Sequence, residues 1–141
     1  MERSDPAEFV RALVLGDYEA TGRYERRLDE QSWDGFPRFL GIAFFLAVHR
    51  RFTGRDDRGE IIRFVADLLS EGGAGRADVD PLVAESVILR VFDPQVNIDF
   101  DQTAMGRVQT LVVHKILTGE DLAAGELDSF LGEAERLAAG G

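Results

Sequence analysis

Cysteine is missing from all 141 residues of the sequence. Its absence excludes disulfide bonds, thiolate metal sites and cysteine nucleophiles, and it agrees with a reducing cytoplasm. Lysine is nearly missing as well, because Lys115 is the only one. The first residues, MERSDPAEF, contain acids and no apolar segment. We therefore expect no signal peptide and a cytoplasmic location.

Basic charge is also scarce. The chain has 16 basic and 26 acidic residues, which gives a formal net charge of -10. Such a charge repels phosphate backbones, so we expect no nucleic-acid partner. Hydrophobic residues make up 45% and charged residues 30%, as in ordinary soluble globular proteins. The length is typical of one domain with one core, which predicts a single helical domain over residues 1–141.

Recognisable catalytic motifs are absent from the sequence. It has no phosphate-binding P-loop, no GxGxxG after a strand, no GxSxG and no HExxH. The histidines, His49 and His114, lie in two different predicted helices without partners nearby in the sequence. A metal site needs three or four convergent ligands, and nothing local supplies them. We therefore predict a protein that is not an enzyme and that carries no metal and no cofactor.

The most apolar stretch covers residues 36–52 and reads FPRFLGIAFFLAVHRRF. From Phe39 to Val48 only Gly41 interrupts the apolar side chains, so a helix there is apolar on all faces and belongs inside other helices. The stretch is too short to cross a membrane, which takes roughly 20 apolar residues. We therefore predict a buried central helix over residues 36–52 and no membrane partner.

Helix signals fill the rest of the chain. Asp5-Pro6 and Asp80-Pro81 predict helix starts, because aspartate accepts from the free amides of a first turn and proline has no amide to satisfy. Asp34 is predicted to cap the central helix, and Gly16 to end the first one. Helical spacing of apolar residues predicts further helices over about 17–29, 58–71, 81–92, 101–117 and from 123 or 124 onward. Together they predict an all-α fold of about seven helices, in a compact bundle or stacked helical hairpins around residues 36–52.

Two groups of side chains are candidates for binding. The first is an arginine cluster around the connector after the central helix, a candidate contact for an anion or an acidic partner: Arg50, Arg51, Arg55 and Arg58. Acids in the same stretch, such as Glu60, offer local pairing as the alternative. The second is a set of phenylalanines that could line a pocket for an apolar molecule, with an arginine as its polar anchor: Phe36, Phe39, Phe44 and Phe45.

Two resemblances have some bearing on the fold. The string Gly16-Asp17-Tyr18-Glu19, with Thr21, Tyr24 and Leu28, resembles the turn and second helix of a tetratricopeptide repeat (TPR). No second copy follows at the repeat's spacing, so no superhelical array is implied. The chain also looks like small helical proteins of high-GC, actinobacterial-type bacteria, in the strings FFLAV with RRF, IRFVAD, and VDP with AE. That resemblance implies a fold and no mechanism.

The absence of catalytic groups favours a non-enzymatic module for protein–protein interaction, of adaptor, regulatory or immunity type. Its acidic helical surface would meet a protein partner or its own copy, as a homodimer. The alternative is a protein that binds a small apolar ligand in a pocket lined by phenylalanines, and an enzyme of unknown type comes third. An exposed apolar patch above ~400 Å² favours the first, and a closed cavity of about 300 Å³ favours the second.

Overall fold

The computed structural model describes residues 4–52, 58–70, 79–96, 102–119 and 124–140. Within these ranges the chain forms seven α-helices and no β-strand, which confirms the all-α prediction. The helices are α1 (Asp5–Leu15), α2 (Tyr18–Glu30), α3 (Phe36–Arg51), α4 (Arg58–Ser70), α5 (Pro81–Phe92), α6 (Gln102–Gly119) and α7 (Ala124–Gly140). Arg55 of the predicted arginine cluster and residue 101, the predicted start of a helix, lie outside the described residues.

Helix α3 is the central helix, as predicted. It packs against α1, α5, α6 and α7. Its buried side chains are Phe39, Leu40, Ala43, Phe44, Ala47 and Val48. The helix ends at Arg51, and Phe52 follows in an extended conformation with its ring still buried in the core. No helix in the described ranges combines the length and the apolarity that crossing a membrane requires.

Two helical hairpins flank this centre. Helices α1 and α2 pack together, as do α4 and α5, while α6 and α7 both lie along α3 and α1. Helix α7 is also tied to α1 by polar contacts: Arg11 Nε donates to Asp128 Oδ1 at 2.8 Å, and the backbone amide of Ser4 donates to the carboxylate of Glu135. Every buried residue of the described ranges is apolar. Burial of apolar side chains between the helices therefore holds the fold together.

The helix starts agree with the predictions in part. Asp80 caps α5 as predicted, because its Oδ1 accepts from the amide of Leu82 at 2.9 Å. The prediction that Asp5 caps α1 is wrong, since the cap is Ser4, whose hydroxyl accepts from the amide of Ala7. Asp5 instead pairs with Arg27 of α2 and accepts from Gln31.

The turn before α3 also differs from the prediction. The residue that caps α3 is Gly35, in a left-handed conformation at φ 79°, rather than Asp34, and no side chain bonds to the first turn. Ser32 and Trp33 are left-handed as well, both at φ 56°. Trp33 Nε1 donates to Asp29 Oδ1 at 2.6 Å, which fixes the indole in this turn.

Trp33 is half-buried and covers the start of α3. Its ring meets the ring of Phe36 edge-on, with the centroids 5.0 Å apart, and the ring of Phe9 at 5.5 Å. Phe9 and Phe36 are also edge-to-face, at 5.7 Å. Edge-to-face pairs are favourable for the ring quadrupoles. This aromatic triad therefore fixes the position of Phe36.

Candidate binding surfaces

The middle of one face of α3 is not covered by the other described helices. Five residues lie along this face, which we call the outer stripe: Arg38, Gly41, Ile42, Phe45 and His49. Phe45, in the middle, is 48% exposed. A Cβ atom built on Gly41 meets nothing within 4 Å. Within α3, which is central as predicted, Phe45 is therefore an exposed apolar side chain.

An aromatic cluster extends the outer stripe at its C-terminal end. The imidazole of His49 lies between two rings, with its centroid 4.4 Å from that of Phe45 and 4.9 Å from that of Phe92 in α5. No group of three metal-ligating side chains occurs within the described residues. The contacts of His49 with these two rings are packing contacts. The cluster adds apolar surface from α5 to that of α3.

The charge of α3 contrasts with that of the whole chain. The helix contains Arg38, Arg50 and Arg51 and no acid, whereas the chain has a net charge of -10. Arg38 Nε donates to the carbonyl of Ala138 near the end of α7 at 2.8 Å, yet its side chain stays exposed. The outer stripe is therefore apolar in the middle, with Arg38 at its first end and His49 at its last.

Local pairing occupies part of the predicted arginine cluster. Arg51 Nη2 lies 3.8 Å from Glu60, and its guanidinium lies over the ring of Phe52 at 4.9 Å. Arg63 pairs with the same Glu60 at 3.0 Å. These exposed pairs each contribute up to about 1 kcal/mol. Glu60 therefore forms an ion pair with Arg51, which belongs to the predicted cluster.

The remaining arginines of the cluster lie in different surroundings. Arg50 lines a depression of about 530 Å³ between α3 and α7, where Glu126 and Glu133 also lie. Arg58 is exposed at the start of α4, and Arg55 lies outside the described residues. An anion or partner contact at Arg50, Arg51, Arg55 and Arg58 stays a prediction.

A groove of about 690 Å³ lies between the first halves of α3 and α6, and we call it the α3–α6 groove. The described residues that line it are Phe36, Pro37 and Leu40 of α3 with Met105, Gly106, Arg107, Gln109, Thr110 and Leu111 of α6. Most of this lining is apolar. The hydroxyl of Thr110 donates to the carbonyl of Gly106 at 2.8 Å, so this hydroxyl does not donate into the groove.

A narrow crevice continues from this groove toward α1. Phe36, Leu40 and Thr110 line both spaces, and the crevice is completed by Val10, Leu13, Val14, Val113 and His114. Its free volume is only about 10 Å³, so the side chains nearly fill it. His114 is half-buried there, in an apolar wall. The crevice is therefore part of the core, and Phe36 separates it from the groove.

The four predicted pocket phenylalanines lie in different places. Phe36 lines the α3–α6 groove, and Phe44 is buried in the core. Phe39 is buried and lies beside a separate depression near the end of α7. Phe45 lies on the outer stripe. The α6 side of the groove was not predicted from the sequence. Met105, Gly106 and Arg107 lie at the start of a helix, and this combination of residues is not a recognisable motif for a binding site.

Comparisons with models of known protein families, with curated proteins and with solved structures gave no match. The function of the outer stripe and of the α3–α6 groove therefore has to be inferred from the residues that form them.

Proposed function

We propose that this chain is a non-enzymatic protein–protein interaction module and that the outer stripe is its partner-binding surface. The observation that carries the proposal is the 48% exposure of Phe45 in the middle of the central helix. A helix that is apolar all round is stable when it is buried all round. Covering Phe45 and Ile42 stabilises a complex by about 25 cal/mol per Å² of apolar surface removed from water.

The partner that fits the outer stripe is an amphipathic helix with an acidic residue at the end that lies on Arg38. Its apolar face would lie on Ile42 and Phe45, in the helix-in-groove mode of recognition. Gly41 has open space above it, which allows a partner backbone to approach closely. An acidic residue at one end of the partner helix would meet Arg38.

A second copy of the chain fits this surface less well, because of charge. Two outer stripes placed together in the same direction bring the Arg38 side chains of the two copies side by side. Each copy also has a net charge of -10. Like charges facing each other across an interface are costly and slow the encounter. A different protein is therefore the better occupant.

The proposal is tested by selecting binders from a displayed library of helical peptides. We expect the enriched peptides to share apolar residues at i, i+3, i+4 and i+7 and an acid at the end that meets Arg38. A synthetic peptide of this kind should lose at least about tenfold in affinity for the Phe45→Glu variant, equivalent to about 1.4 kcal/mol. Its affinity for Tyr18→Glu should not change, because Tyr18 is an aromatic residue 87% exposed on α2. Isothermal titration calorimetry measures both.

Two results would contradict the proposal. One is a selection that enriches no peptide, or only peptides whose binding does not depend on Phe45. The other comes from light scattering of the protein alone across a concentration series. A mass of two chains for the wild type and of one chain for Phe45→Glu would make a second copy the occupant of the outer stripe.

A second candidate function is binding of a small apolar ligand in the α3–α6 groove. The volume of about 690 Å³ favours it, because ligand sites typically measure about 300–1,000 Å³ and are mainly apolar with a few polar groups. The ring of Phe36 supplies the predicted phenylalanine of this site. The groove is open along one side, unlike the closed cavity expected from the sequence. Neither candidate function requires a cofactor.

A further inference from the structure

We infer that the α3–α6 groove binds a free single-chain carboxylate, with the apolar tail in the groove and the carboxylate at Arg107. The inference rests on the second candidate function, since it names the class of ligand for the same groove. It is independent of the outer stripe.

The charge of the groove identifies the head group. Among the described residues that line the groove, Arg107 is the only charged one. The chain has 26 acids against 16 bases, yet none of these acids belongs to the described lining. Arg107 is exposed and pairs with no acid of the described ranges. A guanidinium presents parallel donors that match the two oxygens of a carboxylate.

The apolar wall of the groove fits a tail. Along α6 the lining runs from Met105 to Leu111, which is roughly 9 Å at 1.5 Å per residue. A Cβ atom on Gly106 would meet nothing within 4 Å, so the floor of the groove is free at that point. Phe36 and Leu40 form the opposite wall. An unbranched apolar chain can therefore lie along α6 between these two walls.

The net charge of the protein distinguishes a free carboxylate from a lipid in a membrane. A chain of net charge -10 is repelled by the anionic surface of a bilayer. One arginine does not offset that repulsion, because each basic residue near such a surface contributes about 1 kcal/mol. A soluble fatty-acid monomer carries a single charge and meets no such barrier.

Calorimetric titration with decanoate, below its micellar concentration, tests the inference. We expect binding of one decanoate per chain. Octanoate should bind on the order of tenfold more weakly, because each buried methylene changes affinity by up to about fourfold. Decanol should bind about fivefold more weakly than decanoate, since the pair with an exposed arginine is worth up to about 1 kcal/mol. The fluorescence of Trp33 should change on binding, because its ring contacts Phe36.

Three variants locate the site. Arg107→Gln should abolish the preference for decanoate over decanol, whereas Arg26→Gln should retain it, because Arg26 is an exposed arginine on α2. Gly106→Leu should block both ligands by filling the groove. Equal affinity of the wild type for decanoate and decanol would overturn the head-group inference and leave the second candidate function standing. Absence of binding, or binding that persists in Gly106→Leu, would overturn both.

Discussion

Replacing Phe44 by alanine is expected to lower the free energy of unfolding by about 3–5 kcal/mol, whereas the same replacement at Phe45 should lower it by about 1 kcal/mol or less. The two residues are neighbours in α3 and have the same side chain. Phe44 is 4% exposed and packs in the core, so its loss leaves a cavity. Phe45 is half exposed, and its main ring contact is with His49.

Urea denaturation followed by circular dichroism measures both variants. The dependence of the free energy on urea concentration should be the same in both, so that the difference lies in the midpoint. A similar loss of stability in the two variants would show that α3 is covered on both faces. A small loss at Phe44 would show that α3 is not the centre of the core.

Leucine at two small positions of α3 is expected to change stability in opposite directions. Ala47→Leu should lower the free energy of unfolding by about 1–3 kcal/mol, because Ala47 is fully buried and the added atoms overpack the core. Gly41→Leu should raise it by roughly 0.5–1 kcal/mol, because leucine is a better helix former and the space above Gly41 is open. Both are measured in the same denaturation experiment.

Gly41→Leu should also weaken binding of the selected acidic-ended peptide, since the new side chain stands where the partner backbone approaches. A variant that gains stability and loses affinity separates binding from folding. A lower free energy of unfolding for Gly41→Leu would contradict the claim that the space beside Gly41 is open.

The position of the central helix was predictable because its signal is local. Residues 36–52 form an apolar run of helical length closed by arginines, and no other stretch of the chain competes with it. Gly16 and Asp80 were predictable for the same reason, since a helix end depends on one or two residues. The residue that caps α1 was not predictable in this way. Asp5 is drawn away from the cap by Arg27 and Gln31, which are distant in the sequence.

The uncovered face of α3 could not be predicted from the sequence. Apolar residues surround this helix almost evenly, so their pattern does not show which face lacks a neighbour. That depends on where α6 and α7 pack. The α3–α6 groove posed the same difficulty, because Phe36 and Arg107 meet there only through tertiary packing. Of its residues, the sequence indicated Phe36 alone.

Thiol labelling tests the open face of α3 most directly, and the chain suits it because it has no cysteine. Two variants are compared, Phe45→Cys on the outer stripe and Val48→Cys in the core, where Val48 is fully buried. In the native protein we predict that the thiol of Phe45→Cys reacts at nearly the rate of a free thiol. The thiol of Val48→Cys should react only as fast as the protein opens. Equal protection of the two thiols would contradict an uncovered face on the central helix.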